Sequence, residues 1–352
     1  MQWDLFCRVV DNFGDIGVCW RLAADLGARG QAVRLWVDDP SALAWMAPGG
    51  APNVQWAPWP AEDAAVEPGD VVVEAFGCDP PAGFIARMAA RPQPPLWINL
   101  EYLSAEAYVQ RSHGLGSPQL SGAGRGLQKW FFYPGFSAGT GGLLREPGLL
   151  EARQGFDRAA WLGAQGLELR PGERLLSLFC YDTTPVAGLR QALAGMPALL
   201  LRTPGAAERA WQAAGGDSAC PPGLRSVALP WLPQTEYDRL LWACDLNFVR
   251  GEDSFVRAQW AGAPFVWQIY PQHDGAHAAK LQAFLDAFLQ GADAALAAPL
   301  RRLWWQWNGL AEGPCTLPDL PAWQAQALRW RKGLLAQPDL VTQLLGFVAG
   351  KR

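Results

Sequence analysis

Histidine is scarce in this chain: His113, His273 and His277 are the three in 352 residues. Chemistry built on a cluster of imidazoles is therefore not expected, and carboxylates become the side chains to examine as proton handlers. Charge is also low, at 18% of residues against 50% hydrophobic, a balance that excludes a disordered chain because so much apolar surface offsets chain entropy. Neither sign dominates. The 29 Lys and Arg face 33 Asp and Glu, a net charge of -4, so no global positive field draws in nucleic acid or anionic lipid. The seven cysteines stand singly, without a C-x-x-C pair, and read as buried thiols in a reducing cytoplasm. No stretch reaches about eighteen residues without Gly, Pro or charge. The opening MQWDLFCRVVDN carries Asp4 and Arg8 where an export signal needs an apolar core, so neither a span nor a signal is expected.

What is present is rhythm. At roughly 150 residues per domain the length predicts about two domains. WDLFCRV at 3–9, VCWRLAADLGARG at 18–30, AVRLWV at 32–37 and SALAWMA at 41–47 alternate strand-like and helix-like segments. DVVVEAF at 70–76 and LWINLEYL at 96–103 continue the series, and such unbroken apolar runs suit strands buried on both faces of a parallel sheet. Residues 112–148 are Gly- and Ser-rich around a strand-like KWFFYPG and read as loops and a domain edge. From 174 the alternation restarts and runs to PFVWQIY, after which only helical spacing remains. The expectation is a Rossmann-like domain over 1–165, a second over 166–330, and a final helix over 331–352 packing back on the first. Two doubly wound domains place ligands outside the carboxyl ends of their strands, in crevices that can face each other across a cleft.

Two strand-end loops hold the candidate chemistry. The first runs from Val9 to Gly17, with Asp11 and Asp15 beside Gly14 and Gly17. It is not G-x-G-x-x-G, and its acidic side chains would repel a pyrophosphate. The two carboxylates suit a general base or a cation, whereas Asp15 alone is equally suited to capping a helix that begins near Gly17. The second loop, Asp245 to Phe255, has an anion-binding pattern: Arg250 as cation, Ser254 as donor, a helix start behind them, and Glu252 placed for a sugar hydroxyl pair. The plainer alternatives are a surface pair Arg250–Glu252 and an N-cap at Asp253 or Ser254. Trp231 offers a face for a base whose edge Gln234 reads, although among 19 tryptophans most serve the core. Tyr181 ends another strand-like run, where it is as suited to reach a phosphate as to be a buried tyrosine with a routine partner. His273 and His277 have the i, i+4 spacing of a metal pair with Asp274 nearby, but Gly275 interrupts the helix and no third ligand is placed, so no metal is expected.

DNFGDIGVCWRLA at 11–23 and FVRGEDSFVRAQWAGAPFVWQIYPQ at 248–272 resemble the protein-arginine rhamnosyltransferases of the EarP family, which mature bacterial translation elongation factor P. The resemblance extends through LPWLPQ at 229–234 and YDRLLWACD at 237–245, and is weak at about 112–170 and in the last helices. It implies a GT-B α/β fold, two Rossmann-like domains facing across a cleft with C-terminal helices. It also implies transfer of L-rhamnose from dTDP-β-L-rhamnose to an arginine of elongation factor P with inversion, and no cofactor. Carried onto this sequence, the essential acidic residues are Asp11, Asp15 and Glu252. Trp231 and Gln234 would surround thymine, Tyr181, Arg250, Asp253, Ser254 and Tyr270 would lie near ribose and diphosphate, and Asn12, Phe13 and Gly14 would line the substrate side of the first loop. Other members resemble one another in having Phe at the stacking position, so Trp231 is a departure that keeps a flat face.

The competing readings are another GT-B nucleotide-sugar transferase or an epimerase, which would share the 250–254 site, and a noncatalytic nucleotide-sugar-binding protein. The paired aspartates favour a guanidinium acceptor, because a hydroxyl needs one base. A helix N-terminus with Arg250 and Ser254 can balance a departing diphosphate without a cation. Transfer is therefore expected to run in EDTA. Activity lost in chelator and restored by magnesium or manganese would return attention to His273 and His277.

Overall fold

The computed structural model describes residues 1–11, 13–272 and 275–351. It divides into two units, Met1–Pro147 with Leu334–Arg352, and Gly148–Gly333. In the first, β1 (Gln2–Cys7), α1 (Gly14–Ala28), β2 (Ala32–Val37), α2 (Leu43–Met46) and β3 (Val54–Pro58) are followed by β4 (Val71–Ala75), α3 (Ala82–Ala90) and β5 (Leu96–Leu100). Then come α4 (Ala107–Ser112), β6 (Gly116–Pro118) and β7 (Gln128–Phe132). The second unit runs through α5 (Leu149–Gln154), α6 (Arg158–Ala164), β8 (Arg174–Leu178), α7 (Val186–Ala192), β9 (Ala198–Arg202) and α8 (Ala206–Ala213). It continues with β10 (Leu224–Ala228), α9 (Gln234–Ala243), β11 (Leu246–Arg250), α10 (Asp253–Ala261) and β12 (Phe265–Gln268). Helices α11 (Ala276–Phe288), α12 (Ala294–Trp307), α13 (Leu320–Leu335) and α14 (Leu340–Lys351) end the chain.

Both sheets are doubly wound. The first has the order β3-β2-β1-β4-β5-β7-β6 and the second β10-β9-β8-β11-β12. β1 pairs in parallel with β2 (Gln2↔Ala32 to Cys7↔Val37) and with β4 (Trp3↔Val71 to Phe6↔Glu74), so the strand order reverses beside β1. β8 has the same place in the second sheet, between β9 and β11. Such a reversal opens a crevice at the carboxyl ends of the two central strands. The strand-like KWFFYPG, expected among loops at a domain edge, forms β7, which extends the first sheet through parallel pairing with β5 and takes β6 as an antiparallel edge.

Strands covered on both faces must pair any polar group they carry. Asp4 is fully buried in β1 and takes a fork from Arg34 (2.7 and 2.8 Å), the indole N–H of Trp36 (2.9 Å) and the Gly69 amide (2.6 Å). In β4, Glu74 accepts from Lys129 at 2.7 Å and from the Trp97 indole at 3.0 Å.

The last helix does pack on the first unit, as Leu340, Val341, Leu344 and Val348 join Leu22, Leu26 and Phe132 in its core. The boundary expected at 165/166 falls instead at 147/148. The reason is α6, whose Trp161 and Leu162 are buried against Leu175, Leu199 and Leu240 of the second unit, with the Trp161 indole donating to Glu236 at 2.9 Å.

In the second unit Arg257 of α10 grips Asp238 of α9 through Nε (2.9 Å) and Nη2 (2.7 Å), with the two side chains 2% and 6% exposed. Removing one partner strands a buried charge. Arg257→Met should destabilise the second unit by about 3–5 kcal/mol, and adding Asp238→Leu should recover most of that loss. Chemical denaturation of the single and double variants checks both; a single variant within about 0.5 kcal/mol of the parent would show that the pair does not anchor these helices.

Candidate active site

Each unit carries one candidate cluster, and each lies where its strand order reverses. In the first, the chain leaves β1 and turns tightly, the Gly14 amide donating to the Asp11 carbonyl at 2.7 Å. α1 therefore begins at Gly14 rather than near Gly17, with Phe13 at its N-cap. Asp15, inside the first turn, reaches back: its Oδ2 accepts the backbone N–H groups of Val10 and Asp11, both at 2.8 Å. The capping alternative is thereby replaced by a carboxylate that clasps the loop carrying Asp11.

Asp15 is 3% exposed. Burial raises its pKa from the ordinary 3.8, while the two backbone N–H groups and a hydrogen bond from Tyr102 oppose the rise, and the charge of Asp38 adds to it. The raised value has a sign: the contribution to stability is full below the unfolded pKa and is lost as pH rises through the folded one, so ionised Asp15 at neutral pH draws on the stability of the fold. Tyr102 follows β5, and its ring stacks on Phe76 after β4 at 4.2 Å and 11°. Phe76 adopts φ 59, a left-handed conformation that is uncommon for a bulky residue. Phe13 packs edge-on to Trp45 at 5.1 Å. Gly14 leaves room for Asp11, since a Cβ there would lie 2.8 Å from Asp11 Oδ2. Asn12, expected beside these residues, lies outside the described ones.

In the second unit Arg250 ends β11 and is 6% exposed. Its guanidinium lies over the rings of Phe179 (4.6 Å) and Tyr181 (4.5 Å), and Nη1 donates to the Cys180 carbonyl at 3.2 Å. Burial against these rings replaces the surface-pair alternative with Glu252. Tyr181 is fixed from behind: its amide donates to Gln268 Oε1 at 2.8 Å, and its ring meets Tyr270 edge-on at 5.8 Å. α10 starts at Asp253, with Glu252 as an uncapped N-cap, so neither Asp253 nor Ser254 caps it. Ser254 instead donates its hydroxyl to the Arg250 carbonyl. The first turn of α10 thus begins directly after β11, where a helix N-terminus favours an anion. Gln234 opens α9 and donates to Asp253 Oδ2 at 3.3 Å. Trp231 is 44% exposed, with Gly205 close beneath its ring.

Tyr181, Arg250, Ser254 and Tyr270 are thus brought to one strand-end cluster, with Gln234 tied to it through Asp253. Sequence reasoning missed Tyr102 and Gln268, which hold Asp15 and Tyr181. Both follow or end quoted strand-like runs, and position at a carboxyl end was the available signal. The Cys180 thiol is pushed up to about 12 by burial, which makes it inert as a nucleophile. His277 accepts the Gln272 amide at Nδ1 (3.1 Å), while His273 and Asp274 lie outside the described residues.

Two doubly wound units in one chain, each with a candidate cluster where its strand order reverses, define the GT-B class of fold. A solved glycosyltransferase, SnogD from Streptomyces nogalater, shares the fold at a TM-score of 0.54 and 16% identity over 99% of both chains. The family model for "Elongation-Factor P (EF-P) rhamnosyltransferase EarP" matches residues 3–349, and the chain belongs to that family. A protein-arginine rhamnosyltransferase of Pseudomonas aeruginosa is 46% identical over 375 residues, covering 99% of each chain. A structure solved for EarP-mediated arginine glycosylation of translation elongation factor EF-P matches at 34% identity and a TM-score of 0.69, covering 100% of this chain and 99% of that one.

The fit of Gly14 against Asp11 is testable. Gly14→Ala should fold with little change in Tm, because the clash is with a side chain end, yet displace Asp11 and lower transferase activity at least tenfold. Parent-like activity would show that the seat of Asp11 does not matter.

Proposed function

We propose that this protein transfers L-rhamnose from dTDP-β-L-rhamnose to an arginine side chain of elongation factor P. Family membership supports the reaction, and the observation that carries the assignment of parts is the division of charge. Paired carboxylates occupy the crevice of the first unit, and a cation, aromatic rings and a helix N-terminus occupy that of the second.

Arginine is a poor nucleophile, with a pKa above about 12 and delocalised lone pairs. Two carboxylates answer this: Asp11 orients the guanidinium plane and Asp15 takes the proton. A guanidinium nitrogen attacks the anomeric carbon, the bond from that carbon to the diphosphate oxygen breaks, and the nitrogen's proton passes to Asp15. One displacement inverts the configuration. Asp15 suits the base role because burial raises its proton affinity. On the donor side Trp231 stacks on thymine, Gln234 reads its edge, and Tyr181, Asp253 and Tyr270 flank ribose and diphosphate. Arg250 and the α10 amides receive the charge of the departing dTDP. Glu252, at the N-cap of α10, is placed to bond sugar hydroxyls.

The test is rhamnosyl transfer to elongation factor P, read by intact mass, beside calorimetric affinity for the donor. Asp15→Asn and Asp11→Asn should each lower transfer, Asp15→Asn by about 10²–10⁴-fold, with donor affinity unchanged. Trp231→Ala should weaken donor binding by about tenfold, the loss of one stacked base. The parent's kcat/KM should fall as pH drops through a value above 3.8, where Asp15 becomes protonated. Near-parent transfer by Asp15→Asn removes the base assignment, and lost donor affinity in that variant moves the residue to the nucleotide side.

A further inference from the structure

The amino-terminal edge of the second sheet, opposite the strand ends described above, holds a cavity of about 310 Å³ lined in part by Arg153, Phe156, Arg158, Trp242, Asp245 and Gln324. Its charges do not balance. Asp245 is committed, its Oδ2 accepting Arg158 Nη2 at 2.9 Å and the Leu175 amide at 2.8 Å. Arg153 and Arg331 are half-buried cations close enough to repel: burial and the Arg331 charge hold the Arg153 guanidinium below its ordinary value, and burial does the same for Arg331. The Nε of each is buried and meets no hydrogen-bond partner.

The cluster is held in place by the fold. Gln324, Leu328 and Arg331 follow one face of α13 at helical spacing, and Gln324 donates to the Gly262 carbonyl at 2.6 Å. Gly262 ends α10 with φ 71 and also lines the cavity, and a Cβ there would come within 3.0 Å of Arg331 Cδ. The glycine therefore both makes the left-handed turn and lets the Arg331 side chain lie across it. Phe156 and Trp242, edge to face at 5.5 Å, form an apolar wall beside the cations.

Two desolvated cations side by side with unused donors destabilise a fold unless an anion joins them. Arginine forks match tetrahedral oxyanions in two-point contacts. We propose that this cavity binds a phosphate-class oxyanion on Arg153, which lines it, with Arg331 at its edge beside Gly262, at a site separate from the glycosyl-transfer machinery.

The experiment titrates inorganic phosphate into the full-length protein at ionic strength held constant with chloride and reads Tm. A phosphate concentration about tenfold above Kd should raise Tm by about 3 °C. Arg153→Gln and Arg331→Gln should each abolish the rise and, in phosphate-free buffer, be at least as stable as the parent, because each removes a repelling cation. Arg153→Lys keeps the charge without the fork and should weaken binding several-fold, which serves if a glutamine variant fails to fold. An equal rise with acetate would overturn the phosphate assignment. No rise in the parent, or a rise that persists in both glutamine variants, would overturn the site.

Discussion

Parallel pairing at the centre of each sheet is the constraint on which everything else in this molecule rests. β1 between β2 and β4, and β8 between β9 and β11, are hydrogen-bonded on both edges. Parallel neighbours require crossover helices, which cover both faces and leave nowhere in the strand for an unpaired polar group. That is why Asp4 carries its own fork from Arg34, and why the hydroxyl of Ser177 in β8 donates to Asn247 in β11 at 2.6 Å. Polar groups meant for a ligand are confined to the strand ends, and the reversal of strand order selects which ends.

The two reversals use this space differently. In the first unit a carboxylate is drawn out of water, which raises its affinity for a proton against the amides that hold it. The second instead buries a guanidinium among rings, which cannot neutralise it, and leaves its charge directed at whatever occupies the crevice. Tyr102 and Gln268 show how such placement is kept: each bonds a candidate site residue from the end of a strand two places along the sheet, so the geometry depends on strand register rather than on loop stiffness.

Much of this was legible in the sequence because burial on two faces writes itself as apolar runs. WDLFCRV, DVVVEAF and PFVWQIY could be read as strands of parallel sheets, and the loop after the first of these and the loop from Asp245 to Phe255 as candidate sites. The boundary at 147/148 was not legible, because the apolar positions of α6 indicate that it packs but not against which sheet. β7 was legible as a strand, but its Gly-rich surroundings hid its place in the first sheet. The role of Asp15 was undecidable, since an acid near a helix start fits a cap and a clasp alike. Direction of the side chain separates them, and sequence carries no direction. The Arg153–Arg331 cluster joins residues 178 positions apart in sequence and left no local pattern at all.

The return of α14 to the first unit has a consequence for synthesis. A ribosome delivers β1 to β7 first, but Leu340, Val341, Leu344 and Val348, which complete their core, emerge only after the whole second unit. The half of the protein made earliest is thus the half finished last, with an apolar face of α1 waiting for its cover while the second unit folds. Such a chain exposes that face for the time needed to translate nearly two hundred residues, an interval in which a chaperone has something to hold.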